Sequence, residues 1–211
     1  MADHQDRSDT LRRLQVAQIE PAAQMLARAF QDDPTSIFIV PEAKRRFVAL
    51  SWSFGVIIRY GLRHGEVYTT AGLKGIACWL PPGRTSPTAW GLLRAGIYLA
   101  PFKVGLAGVA RMLAFVQYTD RVHEIRAPFP HWYLAVLGVE PVRQGQGIGT
   151  HLIDLIQVRA DAADIPCYLE TQNPRNVSFY ENRGYRVVDH GPIAKNGPWS
   201  WAMLREPHSR S

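Results

Sequence analysis

Cysteine is scarce in this chain: 211 residues hold two, Cys78 and Cys167. Both stand in apolar, strand-like runs, so reduced, buried thiols are expected and a disulfide scaffold is not. No CxxC pair and no Cys/His cluster has zinc-ligand spacing, so no metal is expected. No uncharged apolar stretch reaches the length of about 18 residues that a membrane span needs, and no membrane partner is expected. Residues 1–10, MADHQDRSDT, contain no apolar run and read as a disordered tail rather than a secretory signal; cytoplasmic localisation is the matching expectation. Like charges are not clustered either. Lys and Arg number 24 against 18 Asp and Glu, a net charge of +6, yet they are scattered along the chain. A basic stripe for nucleic acid is absent, so no nucleic-acid partner is expected. What remains is a mildly basic enzyme that can spend a few cations on a phosphate-rich ligand.

Hydrophobic residues make up 46% of the chain, enough to build one well-buried domain over residues 11–205, with a second tail at 206–211. Leu11 to Ile19 alternates as a strand. A helix follows from Pro21 and stops at AFQDDP, because the residue before proline disfavours helix. Phe47, Leu50, Phe54, Ile57, Ile58 and Leu62 recur at three and four, predicting an amphipathic helix from Pro41 to about His64. Glu66–Thr70 and Gly75–Leu80 read as a hairpin around Gly72–Lys74. Residues 84–130 read as a helical insertion in two halves, Pro87–Leu99 and Lys103–Arg126, divided by Pro101. His131–Val139 is a buried strand. Gly147 to about Ala163 is a helix, Cys167–Thr171 a strand, and NPRNVSFYENRG a short helix with Asn173 as cap and Gly184 as stop. Tyr185–Asp189 and Ser200–Leu204 close the order as an antiparallel pair. The fold class is mixed α/β, without regular βα alternation.

The segment RQGQGIGTHLI, Arg143 to Ile153, places three glycines ahead of a helix. A strand that ends in such a turn makes an anion site, because the first helical N–H groups have no internal partner and the helix dipole adds positive charge. A triphosphate loop would need a lysine after the glycines, and none is present. A dinucleotide turn would need a third glycine where His151 stands, although Glu170 at the end of the next strand keeps that reading open.

Three marks then coincide in order and spacing: Val139-Glu140-Pro141, the pattern of Gln144, Gly147 and Gly149, and FYENRGY from Phe179 to Tyr185. Together they resemble the GNAT superfamily of N-acetyltransferases. HWYLAVLGVEPVRQGQGIG and CYLETQNPRNVSFYENRGYRVV, with AFQDDP near the start and the strand ending Trp79 to Pro82, are similar to the puromycin N-acetyltransferase subgroup within it. The likeness spans most of residues 11–205 and is thin in 84–130.

The resemblance implies a mainly antiparallel, twisted sheet flanked by helices. It implies acetyl-CoA as co-substrate, with the backbone of Leu137, Gly138 and Val139 pairing with the pantetheine arm in a splay between that strand and Cys167–Thr171. Arg143, Gln144, Gly145, Gln146, Gly147, Ile148, Gly149 and Thr150 would wrap the pyrophosphate. Asn176, and Asn173 where it is not simply a helix cap, would add contacts. Tyr180 would protonate the departing thiolate. An ammonium must lose a proton before it attacks, and Glu170 is the first candidate base, with Asp32, Asp33, His131, Tyr133, His123 and Glu124 behind it; water chains could also remove the proton. Asp32, Asp33 and Trp79 are candidates to bind the substrate. The expected function is acetyl transfer to a primary amine of a small molecule by direct attack in a ternary complex. A protein or peptide N-acetyltransferase and a non-catalytic acyl-CoA sensor are the rivals. A homodimer through a late strand such as Ser200–Leu204 is also expected.

Overall fold

The computed structural model describes residues 10–208; residues 1–9 of the predicted tail at 1–10, and 209–211 of the second tail, lie outside them. Seven strands form one sheet: β1 (Leu11–Arg13), β2 (Glu66–Thr70), β3 (Gly75–Leu80), β4 (Trp132–Val139), β5 (Cys167–Thr171), β6 (Arg186–Pro192) and β7 (Trp199–Arg205). Their order is β1-β2-β3-β4-β5-β7-β6, and every pair is antiparallel except β4 with β5. The expected mixed, mainly antiparallel sheet is present, and the doubly wound alternative is excluded. The seven helices are α1 (Ile19–Ala29), α2 (Pro34–Ile39), α3 (Ala43–His64), α4 (Ala89–Ala95), α5 (Ala100–Arg126), α6 (Ile148–Ala162) and α7 (Arg175–Glu181).

One face of the sheet carries α1 and α3. Met25, Leu26, Phe54 and Ile58 pack there on Val67, Ile76, Cys78 and Val136. The other face carries α6, whose Ile148, Leu152, Ile153 and Ile156 pack on Ala77, Trp79, Leu134 and Leu169. Each such aliphatic side chain contributes about 1.5–3 kcal/mol by leaving water. Alternation along β3 sends Ile76 and Cys78 to one face and Ala77 and Trp79 to the other.

β4 breaks this alternation. Trp79 pairs with Leu134 but Cys78 pairs with Val136, so Ala135 is an extra residue, a β-bulge. Leu134 therefore faces α6 while Val136 faces α1 and α3. A bulge bends its strand. Pairing with β5 stops at the same point: the register covers Trp132↔Cys167, Tyr133↔Tyr168 and Leu134↔Leu169 only. Beyond Leu134, β4 continues to Val139 on β3 alone, and a cleft opens between β4 and β5.

Several expectations are corrected. The first strand ends at Arg13, not Ile19. Leu14 is buried and its N–H bonds Val67 O, after which Gln15 and Gln18 cap a 3-10 turn that leads into α1. AFQDDP is followed by the unpredicted helix α2, with Asp33 as cap and Pro34 at its first turn. The insertion divides at Gly96 and Gly105, both at positive φ, rather than at Pro101, which lies in the first turn of α5. Ser200–Leu204 cannot pair across a dimer, because β7 is flanked by β5 and β6. Within the second tail, Glu206 meets Arg186, and the His208 N–H bonds Asp161.

Candidate active site at the parting of two strands

The loop after β4 rises from the open strand end. Arg28 of α1 forks onto Glu140 at 2.7–3.2 Å, and the Gln144 amide donates to Val139 O at 3.2 Å, folding the loop back over the strand. Gln146 holds Val142 O more loosely, at 3.5 Å, and Arg143 is exposed in a 3-10 turn. Gly145 and Gly147 have φ of 77° and 82°, and a Cβ on either would meet nothing within 4 Å. These two glycines supply a left-handed backbone in open space. Gly149 differs: its Cβ would lie 3.3 Å from the Phe179 ring of α7, so the bare backbone serves packing as well as approach. No side chain caps α6 at Gly147, and the first helical bond is His151 N–H to Gly147 O. The N–H groups of Ile148, Gly149 and Thr150 thus head a helix of 15 residues with its positive dipole end outward, fit to hold an anion.

Leu137 and Val139 pack their side chains on the α6 core, and Gly138 is buried on the opposite face against α1. Their main chain forms the wall of the cleft. The Thr150 hydroxyl accepts from Arg183, whose guanidinium lies over the Phe179 ring at 3.6 Å and also donates to Phe179 O. Arg183, which carries no local sequence signal, ties α7 to the head of α6. Asn173 takes its capping role, with its side chain accepting from Arg175 N–H at 3.1 Å. The Asn176 amide donates to Thr171 Oγ1 at 3.3 Å. Tyr180 is buried in the core beneath α6, edge-on to Phe179 and Tyr185, and burial raises its phenol well above the ordinary range.

Glu170 lies on the opposite face, where β4 and β5 part. Its Oε2 accepts from the Tyr133 hydroxyl at 2.8 Å, while Oε1 is buried without a hydrogen-bond partner. Burial pushes its carboxyl up to about 7, against the lowering effect of the neighbouring hydroxyls. Beside it, His123 of α5 stacks on Tyr168 and packs against Tyr133. His123 Nε2 and His131 Nε2 are 2.7 Å apart, and His131 Nδ1 is 2.7 Å from Phe129 O. A carbonyl only accepts, so His131 carries its proton on Nδ1 and receives one from His123 on Nε2. Burial lowers both rings, His123 to about 4, so this arrangement is neutral. The pair is committed to each other, which sets both apart from Glu170 as a base.

Three predicted residues are elsewhere. Trp79 is fully buried under α6, on the face away from Glu170, because the alternation of β3 sends it there with Ala77. Asp33 caps α2 through Thr35 N–H at 2.9 Å. Asp32 is exposed, 3.9 Å from Arg46. Cys78 and Cys167 are free and buried, with burial pushing each thiol up to about 12.

With this geometry in view, the chain was compared with known proteins. The profile of the acetyltransferase (GNAT) family matches residues 77–185, from β3 through α7. The chain belongs to the GNAT family. GNAT members transfer an acetyl group from an acetyl-CoA-type donor, so the chain is an N-acetyltransferase. An uncharacterized N-acetyltransferase of Schizosaccharomyces pombe is 27% identical over 95% of this chain and 84% of its own length. A second from the same yeast is 32% identical over 35% of this chain and 33% of its own. Among solved structures, a Corynebacterium glutamicum protein described as histone acetyltransferase HPA2 and related acetyltransferase superposes with a TM-score of 0.70, at 21% identity over 96% of this chain and 98% of its own. Arylalkylamine N-acetyltransferase 2 of Aedes aegypti superposes with a TM-score of 0.60, at 10% identity over 94% and 99%. At these identities the structures share the GNAT fold.

Proposed function

We propose that the protein acetylates a primary amine of a small molecule by direct attack on acetyl-CoA in a ternary complex. The observation that carries this is the half-buried Glu170 at the point where β4 and β5 part, with Oε1 buried and unpartnered and a carboxyl near neutrality. A base of that strength takes a proton from an ammonium or from a water beside it at working pH.

In this reading the pyrophosphate rests on the N–H groups of Ile148, Gly149 and Thr150, with Gly145 and Gly147 leaving room and Arg143, Gln144 and Gln146 at its rim. The pantetheine arm runs along the main chain of Leu137 to Val139, with Asn176 near its path. The amine nitrogen attacks the thioester carbon on the Glu170 side, its proton passing to Glu170. The carbon–sulfur bond then breaks, and the thiolate takes a proton from Tyr180, which burial keeps as a neutral phenol. Tyr180 and Glu170 lie on opposite faces of the sheet, and the cleft joins those faces, so acid and base reach opposite ends of one reacting group. An acyl-cysteine route has no support, since both thiols are buried and protonated.

The likeness to the puromycin N-acetyltransferase subgroup supports an aromatic or amphipathic amine, received on the side where α5 sets His123 beside Tyr133. The test is thiol release from acetyl-CoA across polyamines, arylalkylamines, aminonucleosides and peptide N-termini. Turnover confined to peptides overturns the small-molecule acceptor; no turnover with measurable acetyl-CoA binding favours the sensor reading.

A further inference from the structure

The insertion between β3 and β4 carries large apolar side chains on its outer surface. Phe102 is 85% exposed, Leu106 80%, Trp90 68% and Tyr98 63%, and Leu93 and Leu113 are also exposed. Single exposed apolar residues are ordinary, but a set this dense in one short insertion marks a contact surface. Up to Asp120 the same stretch is free of acid; Asp120 and Glu124 stand exposed on the last turns of α5. Between Glu66 and Asp120 the chain has no Asp or Glu, while it has Lys74, Arg84, Arg94, Lys103 and Arg111. Arg84, Arg94 and Lys103 are exposed, whereas Arg111 turns inward to Phe38 O.

By length and composition, Ile97–Arg126 is apolar enough to cross a membrane, with 17% of its most apolar window buried. Two features prevent a crossing. Gly105, at φ 76° and ψ 165°, breaks the helix near its start. The far end is fastened to the sheet domain by His123 on His131 and by Arg126 on Asp189, each at 2.7 Å. A segment so held can lie on a surface. Exposed Trp, Tyr, Phe and Leu interleaved with Arg and Lys is the chemistry of the boundary between headgroups and acyl chains. A second copy of the chain would set Arg84, Arg94 and Lys103 against their like, which disfavours self-association there.

We propose that the outer face of α4 and α5 rests on an anionic lipid surface. Trp90, Tyr98, Phe102 and Leu106 enter the boundary, and Arg84, Arg94 and Lys103 meet the headgroup phosphates. This revises the expectation of no membrane partner and does not depend on which amine is acetylated.

The test is co-sedimentation of the full chain with vesicles of mixed phosphatidylglycerol and phosphatidylcholine, and with phosphatidylcholine alone, at low and raised salt. Light scattering on the same samples gives the oligomeric state. Binding to the anionic vesicles, weakened by salt and on the neutral ones, is the expected result. Phe102→Ser with Leu106→Ser lowers the partition coefficient about tenfold or more. Lys103→Glu lowers it about fivefold or more on anionic vesicles. These substitutions fall on exposed positions away from the cleft, so thiol release with soluble substrates is retained and reports an intact fold. Absence of binding to anionic vesicles overturns the proposal, as does equal binding by the double variant. A dimer that Phe102→Ser dissociates also overturns it, in favour of self-association.

Discussion

Burial holds the Glu170 carboxyl up at about 7, and the consequences have two signs. If Glu170 is the base, kcat/KM rises with pH through about 7 as the carboxylate forms. Glu170→Gln removes that limb and lowers kcat about 10²–10⁴-fold, read from a pH–rate profile. Stability moves the other way. In the unfolded chain Glu170 ionises near the ordinary glutamate value, while the folded chain keeps the proton until about 7, so this group's contribution falls as pH rises between the two. Glu170→Gln therefore stabilises the fold more at pH 8 than at pH 5, by about 1–3 kcal/mol at 25 °C, read from urea unfolding at the two pH values. For Tyr180, Phe removes only the proton donor. Tyr180→Phe lowers kcat about tenfold or more and leaves the acetyl-CoA Kd, measured by calorimetry, within about twofold. Both residues were legible in the sequence through the motifs around them. The near-neutral carboxyl was not, because it depends on burial that only the assembled sheet provides.

Among elements, the junction of α6 and α7 governs the proposed donor site. Arg183 holds Phe179 O, the Phe179 ring and the Thr150 hydroxyl together, and its loss releases the head of α6. Arg183→Gln is expected to weaken acetyl-CoA binding about three- to tenfold, with a loss of about 1–2 kcal/mol in stability, by calorimetry and urea unfolding. The conservative Arg183→Lys restores part of it. Gly147→Ala strains a left-handed position without any clash and weakens binding while leaving the fold; Gly149→Val drives side chain into Phe179 and lowers the melting temperature as well. β4, α6 and the glycine loop were readable because their signals are local: apolar runs, helical spacing, glycines before a helix. Helix α2 has a local signal too, Asp33 before Pro34 as cap and first turn. The bulge at Ala135 had none, since a one-residue offset exists only in relation to β3. For Trp79, strand alternation groups it with Ala77, and only the packing of α6 on the sheet decides which face that is.

For the whole molecule, the His123–His131 pair fastens the insertion to the sheet and sets the behaviour in acid. Unfolded histidines take up protons near 6.5, but folded His123 resists until about 4. Stability from this pair is full above 6.5 and is lost as pH falls toward 4, by about 1–3 kcal/mol. Glu170 slopes oppositely over part of that range, so variants must separate the two. His123→Phe flattens the acid limb of a melting-temperature profile, at the cost of about 1–3 kcal/mol at neutral pH from the acceptor it leaves on His131. Arg205 adds a second brace that sequence did not suggest. It is buried and bidentate to Asp161 at 2.7 Å, joining β7 to the end of α6.

By itself the sequence determined the fold class, the family, the glycine turn at the head of α6 and the candidates for acid and base, because each rests on contiguous residues whose spacing carries its own physics. The tertiary structure alone decided where β4 and β5 part, which face Trp79 and Glu170 take, and that Asp33 and the two histidines are spent on structure. It also decided that the apolar insertion faces outward. Composition reports that residues are apolar, but only packing against the sheet determines which of them leave water.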